Sequence, residues 1–341
     1  SIPALAQALA ALFLYLAIRR ASRPLAVTTL LLHLLSYEVL MGSTDMNGEN
    51  LMTAFLAAAV LASVRRRPLT AGVLAGLGLG TGLYALAGVL ALGVASAFAG
   101  RRVLARYGIG VAASFGGVCL VFAILGGSGF VEGVFTYHLA KRVKGADRVP
   151  LFESANPFAM LSALFTNLSA YLRGKDFAKI LYYHAPTYVA SALAVVLLGA
   201  RALRAFLAPR PDKAAGWQAV FTPRDLLAGT PQGFAKLGVL AAVLFTLQWA
   251  ALNEVYDFYN VPLLAFLALP AAWTLVEAHR LLGEASRPAA LAAPIVLFLG
   301  FSLNAPLMDS MNASLWPEEQ ATRGERVEYE WREPWALASL S

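Results

Sequence analysis

Long apolar runs alternate with short clusters of charge along most of the chain. A helix needs about 20 mostly apolar residues to cross a bilayer. Runs at 2–18, 24–41, 51–64, 70–83, 84–99, 107–125, 182–199, 237–252, 261–276 and 289–303 approach that length. They predict an all-α polytopic membrane protein with about ten transmembrane helices and interfacial helices at its outer face. The runs at 70–83 and 84–99 are short and predict a hairpin. A break is expected at Gly126-Gly127-Ser128-Gly129, where helix propensity is poor.

The polar clusters between the runs orient them. Arg19, Arg20 and Arg23, then Arg65, Arg66 and Arg67, then Arg101, Arg102 and Arg106 fall on one side if every preceding run spans. Lys and Arg are retained in cytoplasmic loops, so that side reads as cytoplasmic. Residues 42–50 and the stretch after 125 then face outward. The run at 156–172 is apolar enough to cross, but crossing would leave Arg201, Arg204, Arg210 and Lys213 outside. An interfacial or re-entrant segment keeps them inside and is preferred. Arg280 and Arg287 then lie inside and 253–260 outside. Pro223, Pro231 and nearby glycines mark 214–235 as an inner loop. The expected organisation is a transmembrane domain over 1–304, with an outer loop at 127–181 and a cytoplasmic loop at 201–236. An external tail follows at 305–341.

Composition agrees with this class and excludes others. Of 341 residues 59% are hydrophobic and only 14% charged, against about one quarter charged in soluble domains. The formal charge of +7 is the retained-cation bias of a membrane protein, not a nucleic-acid footprint. One cysteine, Cys119, permits no intrachain disulfide and no cysteine-based metal site. The chain opens on Ser1 and enters an apolar run at once. No charged region or cleavage site marks a signal peptide there, and a further N-terminal portion is expected ahead of it.

Charge also singles out two external segments. Residues 127–181 carry seven cations against four acids, a net charge of +3, which opposes the usual bias. An anionic group such as a lipid phosphate or pyrophosphate would account for it, and contact with ordinary headgroups is the plainer alternative. The densest part holds Tyr137, His138, Lys141, Arg142, Lys144 and Arg148. The tail carries seven acids against three arginines, a net charge of −4, with Trp316, Trp331 and Trp335. It reads either as a solvated tail with interfacial aromatic anchors or as a docking element for protein partners.

Polar residues within or beside the apolar runs are the remaining candidates. His33, Tyr37 and Glu38 share one helical face, and an intramembrane glutamate is a functional candidate. Asp45, Asn47, Glu49 and Asn50 cluster at an outer helix start. Capping of free N–H groups explains one or two of them, whereas four together suit sugar hydroxyls or a divalent cation. No other cofactor is implied. The outer turn Asn253-Glu254-Val255-Tyr256-Asp257-Phe258-Tyr259-Asn260 adds acids and aromatics. The glycines from Gly72 to Gly82 follow no strand, so they read as helix packing rather than a nucleotide loop. The sequons at Asn167 and Asn312 are treated as chance, and no Ser-His-Asp array, HExxH or phosphate-cradling loop is present.

The order of three pieces resembles the GT-C class of polytopic glycosyltransferases, which use polyprenyl-phosphate sugars. The nearest likeness is to the GPI mannosyltransferase I catalytic subunit and related bacterial mannosyltransferase-like membrane proteins. The pieces are Asn47-Gly48-Glu49-Asn50 opening a helix that ends in Arg65-Arg66-Arg67, Tyr137-His138 followed by Arg142, and the 253–259 turn leading into 264–270. The resemblance implies sugar transfer, mannose among the candidates, at the outer face of a bacterial cytoplasmic (inner) membrane. It implies that His138 and Arg142, with Lys141, Lys144 and Tyr137, hold the donor phosphate. Asp45, Asn47, Glu49, Asn253, Tyr256 and Asp257 would line the acceptor and sugar pocket. The class places its catalytic aspartate in the first outer loop, which would lie ahead of Ser1. Its usual basic residue is also absent from Gly80-Thr81-Gly82-Leu83-Tyr84. A non-catalytic GT-C-like subunit of a larger membrane complex is therefore the second reading. A transporter fits less well, since no paired broken helices mark corresponding halves.

Overall fold

The computed structural model describes residues 2–36, 39, 48–132, 156–207, 226–251 and 260–285. Among these residues there are ten α-helices, one 3-10 turn (Leu83–Ala85) and no strand. The helices are α1 (Ile2–Ile18), α2 (Arg23–Leu34), α3 (Gly48–Val64), α4 (Pro68–Thr81), α5 (Leu86–Ala99), α6 (Arg101–Val131), α7 (Pro157–Arg173), α8 (Lys175–Leu207), α9 (Pro231–Ala251) and α10 (Val261–Ala285). Four stretches are long and apolar enough to cross a membrane, namely Arg101–Phe130, His184–Arg204, Pro231–Ala251 and Val261–Gly283. Ile2–Ile18, Gly48–Val64, Pro68–Thr81 and Leu83–Ala99 are shorter apolar helices. The chain is an all-α polytopic integral membrane protein.

Helix starts follow from local chemistry. Pro24, Pro68, Pro157, Pro231 and Pro262 stand in the first two positions of their helices, where the missing N–H would have had no intrahelical partner. Ser22 Oγ accepts from the Leu25 N–H at 3.3 Å. Asn156 Oδ1 accepts from Phe158 N–H at 2.9 Å, and Thr230 Oγ1 from Gly233 N–H at 3.0 Å. These side chains cap α2, α7 and α9.

Boundaries differ from the apolar runs where backbone rather than hydropathy decides. Helix α6 begins at Arg101, and the expected break falls at Gly127, where two helical stretches meet across a kink. Only Gly127 leaves helical geometry, at φ 55°, a conformation open to glycine. Helix α8 starts at Lys175 and ends at Leu207, so it extends past both ends of the 182–199 run. It kinks at His184, two residues before Pro186, which has no N–H for the carbonyl one turn back. Helix α9 starts at Pro231, inside the expected inner loop. The run at 289–303 lies outside the described residues.

Helix α10 is the centre of the bundle. Every residue from Asn260 to Thr274 is buried, and α10 touches α2, α3, α8 and α9. Phe245 and Trp249 of α9 pack with Phe266, at centroid distances of 5.6 and 6.0 Å along the row. Helix α8 lies parallel to α10. Thr274 Oγ1 donates to Ala190 O at 2.8 Å, Ser191 Oγ donates to Leu267 O at 3.1 Å, and Arg201 meets Glu277 at 2.8 Å.

Small residues let neighbouring helices touch through their backbones. A Cβ at Gly72 would collide with the carbonyl of Tyr107, and one at Gly110 with the carbonyl of Leu69. Gly80 faces Val118. The pairing runs in one direction, so α4 and α6 are parallel. Helices α1 and α3 are also parallel, since Gln7 meets Asn50 and, further along both, Leu14 lines a cleft with Ala57 and Val60. These directions gather Arg19, Arg20, Arg65, Arg66, Arg67, Arg101, Arg102, Arg201 and Arg280 at one end of the bundle. The turns at 83–87 and the starts of α3 and α10 lie at the other.

Helix α3 closes at the arginine end with a Schellman motif. The Arg67 N–H reaches Ala62 O at 2.9 Å and the Arg66 N–H reaches Ser63 O at 2.9 Å. Arg66 occupies the left-handed position, at φ 58°, which costs a non-glycine residue about 1–2 kcal/mol.

Two glycines separate close packing from helix propensity. Gly72→Ala should destabilise the protein by about 1–3 kcal/mol through overpacking against Tyr107. Gly116→Ala meets nothing within 4 Å and should be neutral or stabilising by up to about 1 kcal/mol. Thermal unfolding of the two variants in detergent checks the opposite signs.

Candidate functional site

At the end away from the arginines, three helices bring polar side chains together inside an apolar bundle. Gln7 belongs to the buried stripe of α1, His33 to the last turn of α2, and Glu49 and Asn50 to the first turn of α3. Gln7, His33 and Asn50 are all at least 98% buried, and Glu49 is 8% exposed. Gln7 Nε2 donates to Asn50 Oδ1, and Gln7 Oε1 lies 3.0 Å from His33 Nε2.

This arrangement fixes proton positions. Gln7 Oε1 is an acceptor only, so His33 donates from Nε2 and keeps an acceptor lone pair on Nδ1. That nitrogen is buried and has no hydrogen-bond partner among the described residues. Tyr37 and Glu38 lie outside the described residues. The chain His33→Gln7→Asn50 therefore runs in one direction and ends at the start of α3. Glu49 follows there, with its carbonyl accepting from Thr53 Oγ1 at 2.7 Å. Thr53 also borders an apolar cleft lined by Leu14, Ala57, Pro262, Ala265 and Phe266.

The same end is clamped by a second polar side chain. Gln248 Oε1 accepts from Ala87 N–H at 2.7 Å, and its Nε2 donates to Leu83 O and Tyr84 O at 3.4 and 3.2 Å. One glutamine of α9 thus satisfies three backbone groups where α4 gives way to α5. The buried Asn260 stands just before α10 at this end.

Chemically the cluster is a directed chain of paired groups beside the start of α3, with His33 Nδ1 as an acceptor that has no partner among the described residues. Among the described residues no three His, Cys, Asp or Glu side chains converge as a metal site.

Of the sequence-derived candidates, Glu49 is placed and sits beside the Gln7–His33–Asn50 chain. Asp45, Asn47, Tyr137, His138, Lys141, Arg142, Lys144, Asn253, Tyr256 and Asp257 lie outside the described residues. Gln7 and Gln248 were not singled out by sequence reasoning. Their one visible signal is a lone amide within a long apolar run, and an amide there must find a partner. Nothing in the spacing says which partner, since Gln7 reaches residues 26 and 43 positions away.

The family model for Glycosyltransferase family 87 matches residues 3–228. That interval takes in α1 to α8 and the polar cluster of α1, α2 and α3. No curated protein matches, and no solved structure does. Nothing in these comparisons supports the closer likeness to the GPI mannosyltransferase I catalytic subunit.

Gln7→Leu should destabilise the protein by about 1–3 kcal/mol, because it removes the partner of buried His33 Nε2 and the donor to buried Asn50 Oδ1. Replacing all three by apolar residues (Gln7→Leu, His33→Phe, Asn50→Leu) should cost less than the sum of the single changes. A complete set of unfolding midpoints for the singles and the triple measures that non-additivity.

Proposed function

Because the chain belongs to glycosyltransferase family 87, we propose that it is an integral-membrane glycosyltransferase using a polyprenyl-phosphate sugar. Mannose is the sugar we favour, and the outer face of a bacterial cytoplasmic membrane is where transfer occurs. The family match over 3–228 is the observation that carries this reading. The buried polar cluster at the end remote from the arginines supports the choice of face, because cations are retained on the cytoplasmic side.

In the proposed reaction an acceptor hydroxyl attacks the anomeric carbon of the donor sugar. The bond from that carbon to the phosphate oxygen breaks, and its electron pair leaves with the lipid phosphate. A carboxylate base takes the hydroxyl proton. His138 and Arg142 hold the departing phosphate and stabilise its charge, with Lys141, Lys144 and Tyr137 beside them. Asp45 and Asn47, which precede α3 in the chain, Glu49 in its first turn, and Asn253, Tyr256 and Asp257, which precede α10, line the sugar and acceptor pocket. Helices α3 and α10 start at the same end of the bundle and both pack around the Thr53–Pro262 cleft, which favours one shared pocket.

Membrane vesicles containing the protein should transfer labelled mannose from polyprenyl-phosphate mannose to an endogenous acceptor. Arg142→Ala should lower that rate by about a hundredfold or more, with the protein still inserted and folded. Undiminished transfer by Arg142→Ala would remove its assigned role. A protein that purifies only within a stable multi-protein assembly and transfers no sugar would instead be a non-catalytic subunit.

A further inference from the structure

The first 140 residues contain nine arginines and no lysine, and all six lysines of the chain come later. Arg19, Arg20 and Arg23 flank the α1–α2 turn. Arg65, Arg66 and Arg67 form the α3–α4 turn, and Arg101, Arg102 and Arg106 stand in the first two turns of α6. All nine are exposed. None of their guanidinium groups makes a hydrogen bond or an ion pair among the described residues. Arg201 and Arg280 at the same end differ, since Glu277 binds both at 2.8 and 3.2 Å.

The three groups adjoin one another. Helix α1 packs against α3, α3 against α4, and α4 against α6, and their directions bring the arginine-bearing ends together. The result is a continuous surface of guanidinium groups that have no carboxylate partner among the described residues. A cytoplasmic charge bias would be met by lysine as well as arginine. Arginine adds a planar fork that grips a phosphate through two parallel hydrogen bonds.

The middle of this surface is also conformationally unfavourable. Arg66 takes the left-handed position of a Schellman motif at φ 58°, where glycine would be free of strain. The chain keeps a cation at a position that local stability assigns to glycine. That choice needs a compensating interaction, and none is made to another side chain of the described residues.

We propose that the α3–α4 turn, with the α1–α2 turn and the start of α6, binds the phosphate headgroups of anionic phospholipids in the leaflet at this end. The site is independent of the sugar-transfer reading and lies at the opposite end of the bundle. Its chemistry is bidentate guanidinium–phosphate pairing, strengthened by low dielectric near the interface.

Full-length protein is reconstituted in phosphatidylcholine nanodiscs, with or without phosphatidylglycerol, and its unfolding midpoint is measured. Phosphatidylglycerol should raise the wild-type midpoint, and the triple change Arg65→Gln, Arg66→Gln, Arg67→Gln should remove most of that rise. Each arginine removed should weaken the preference for the anionic lipid by about fivefold. Arg66→Gly separates the proposal from a purely structural role. It should raise the midpoint in phosphatidylcholine alone, by relieving the left-handed strain, and yet gain less from phosphatidylglycerol than the wild type. Inorganic phosphate added to the phosphatidylcholine discs should not reproduce the effect. The proposal fails if phosphatidylglycerol gives the wild type no rise, if Arg66→Gly gains as much as the wild type, or if free phosphate gives the full effect.

Discussion

The burial of α10 on every side is the constraint from which the rest of the bundle follows. Lipid tails are as apolar as leucine, so helices in a membrane gain little by hiding apolar surface from one another. Association has to come from close packing and from hydrogen bonds that the lipid cannot make. Asn260 to Thr274 meet both demands. Phe266 and Trp273 fill space between neighbours, Gly238 of α9 lets that helix press against Pro270, and Ser191 and Thr274 bridge α8 to α10. With α10 held by four partners, the directions of α8 and α9 are set, and those of α2 and α3 with them.

That fixed set of directions makes the two ends chemically unlike. One end carries exposed arginines, tied together in part by Glu277. The other carries buried amides, the His33 imidazole and the buried Glu49 carboxylate. Neutral polar groups dominate there because each can be satisfied inside the bundle by a partner of the opposite hydrogen-bonding sense. Gln7 and Gln248 do this over long sequence separations and so tie segments that share no local contact. A membrane glycosyltransferase must bind a hydroxyl-rich acceptor at a defined level of the bilayer. The rigidity of this end comes from the same hydrogen bonds that hold the helices.

The outward surface is simpler. Helix α6 shows Leu120, Val121, Phe122, Ile124 and Leu125 to the surroundings, as a lipid-facing helix should, while its other face meets α4 through Gly72, Gly76 and Gly110. Helix α7 is of another kind. It buries Ala163, Asn167 and Tyr171 at spacings of four and exposes Phe158, Leu161 and Phe165. It packs on α9 and α8.

The apolar runs by themselves determined the fold class, the approximate places of the helices and the arginine clusters between them. These depend on local content, because twenty apolar side chains in a row leave few alternatives to a helix in a bilayer. Helix ends were less legible. Backbone hydrogen bonds continue as long as geometry permits, so α6 absorbs Arg101 and Arg102, although the glycine break at Gly127 was legible. Most of the candidate site residues, His138 and Arg142 among them, lie outside the described residues, so their roles rest on sequence and resemblance. Only the tertiary structure decided that Gln7 meets His33 and Asn50, that Gln248 caps the α4–α5 turn, and that the arginines of α1, α3 and α6 share one surface. Such partnerships are chosen by which helices lie side by side and in which direction, and no local pattern of hydrophobic and polar residues encodes that choice.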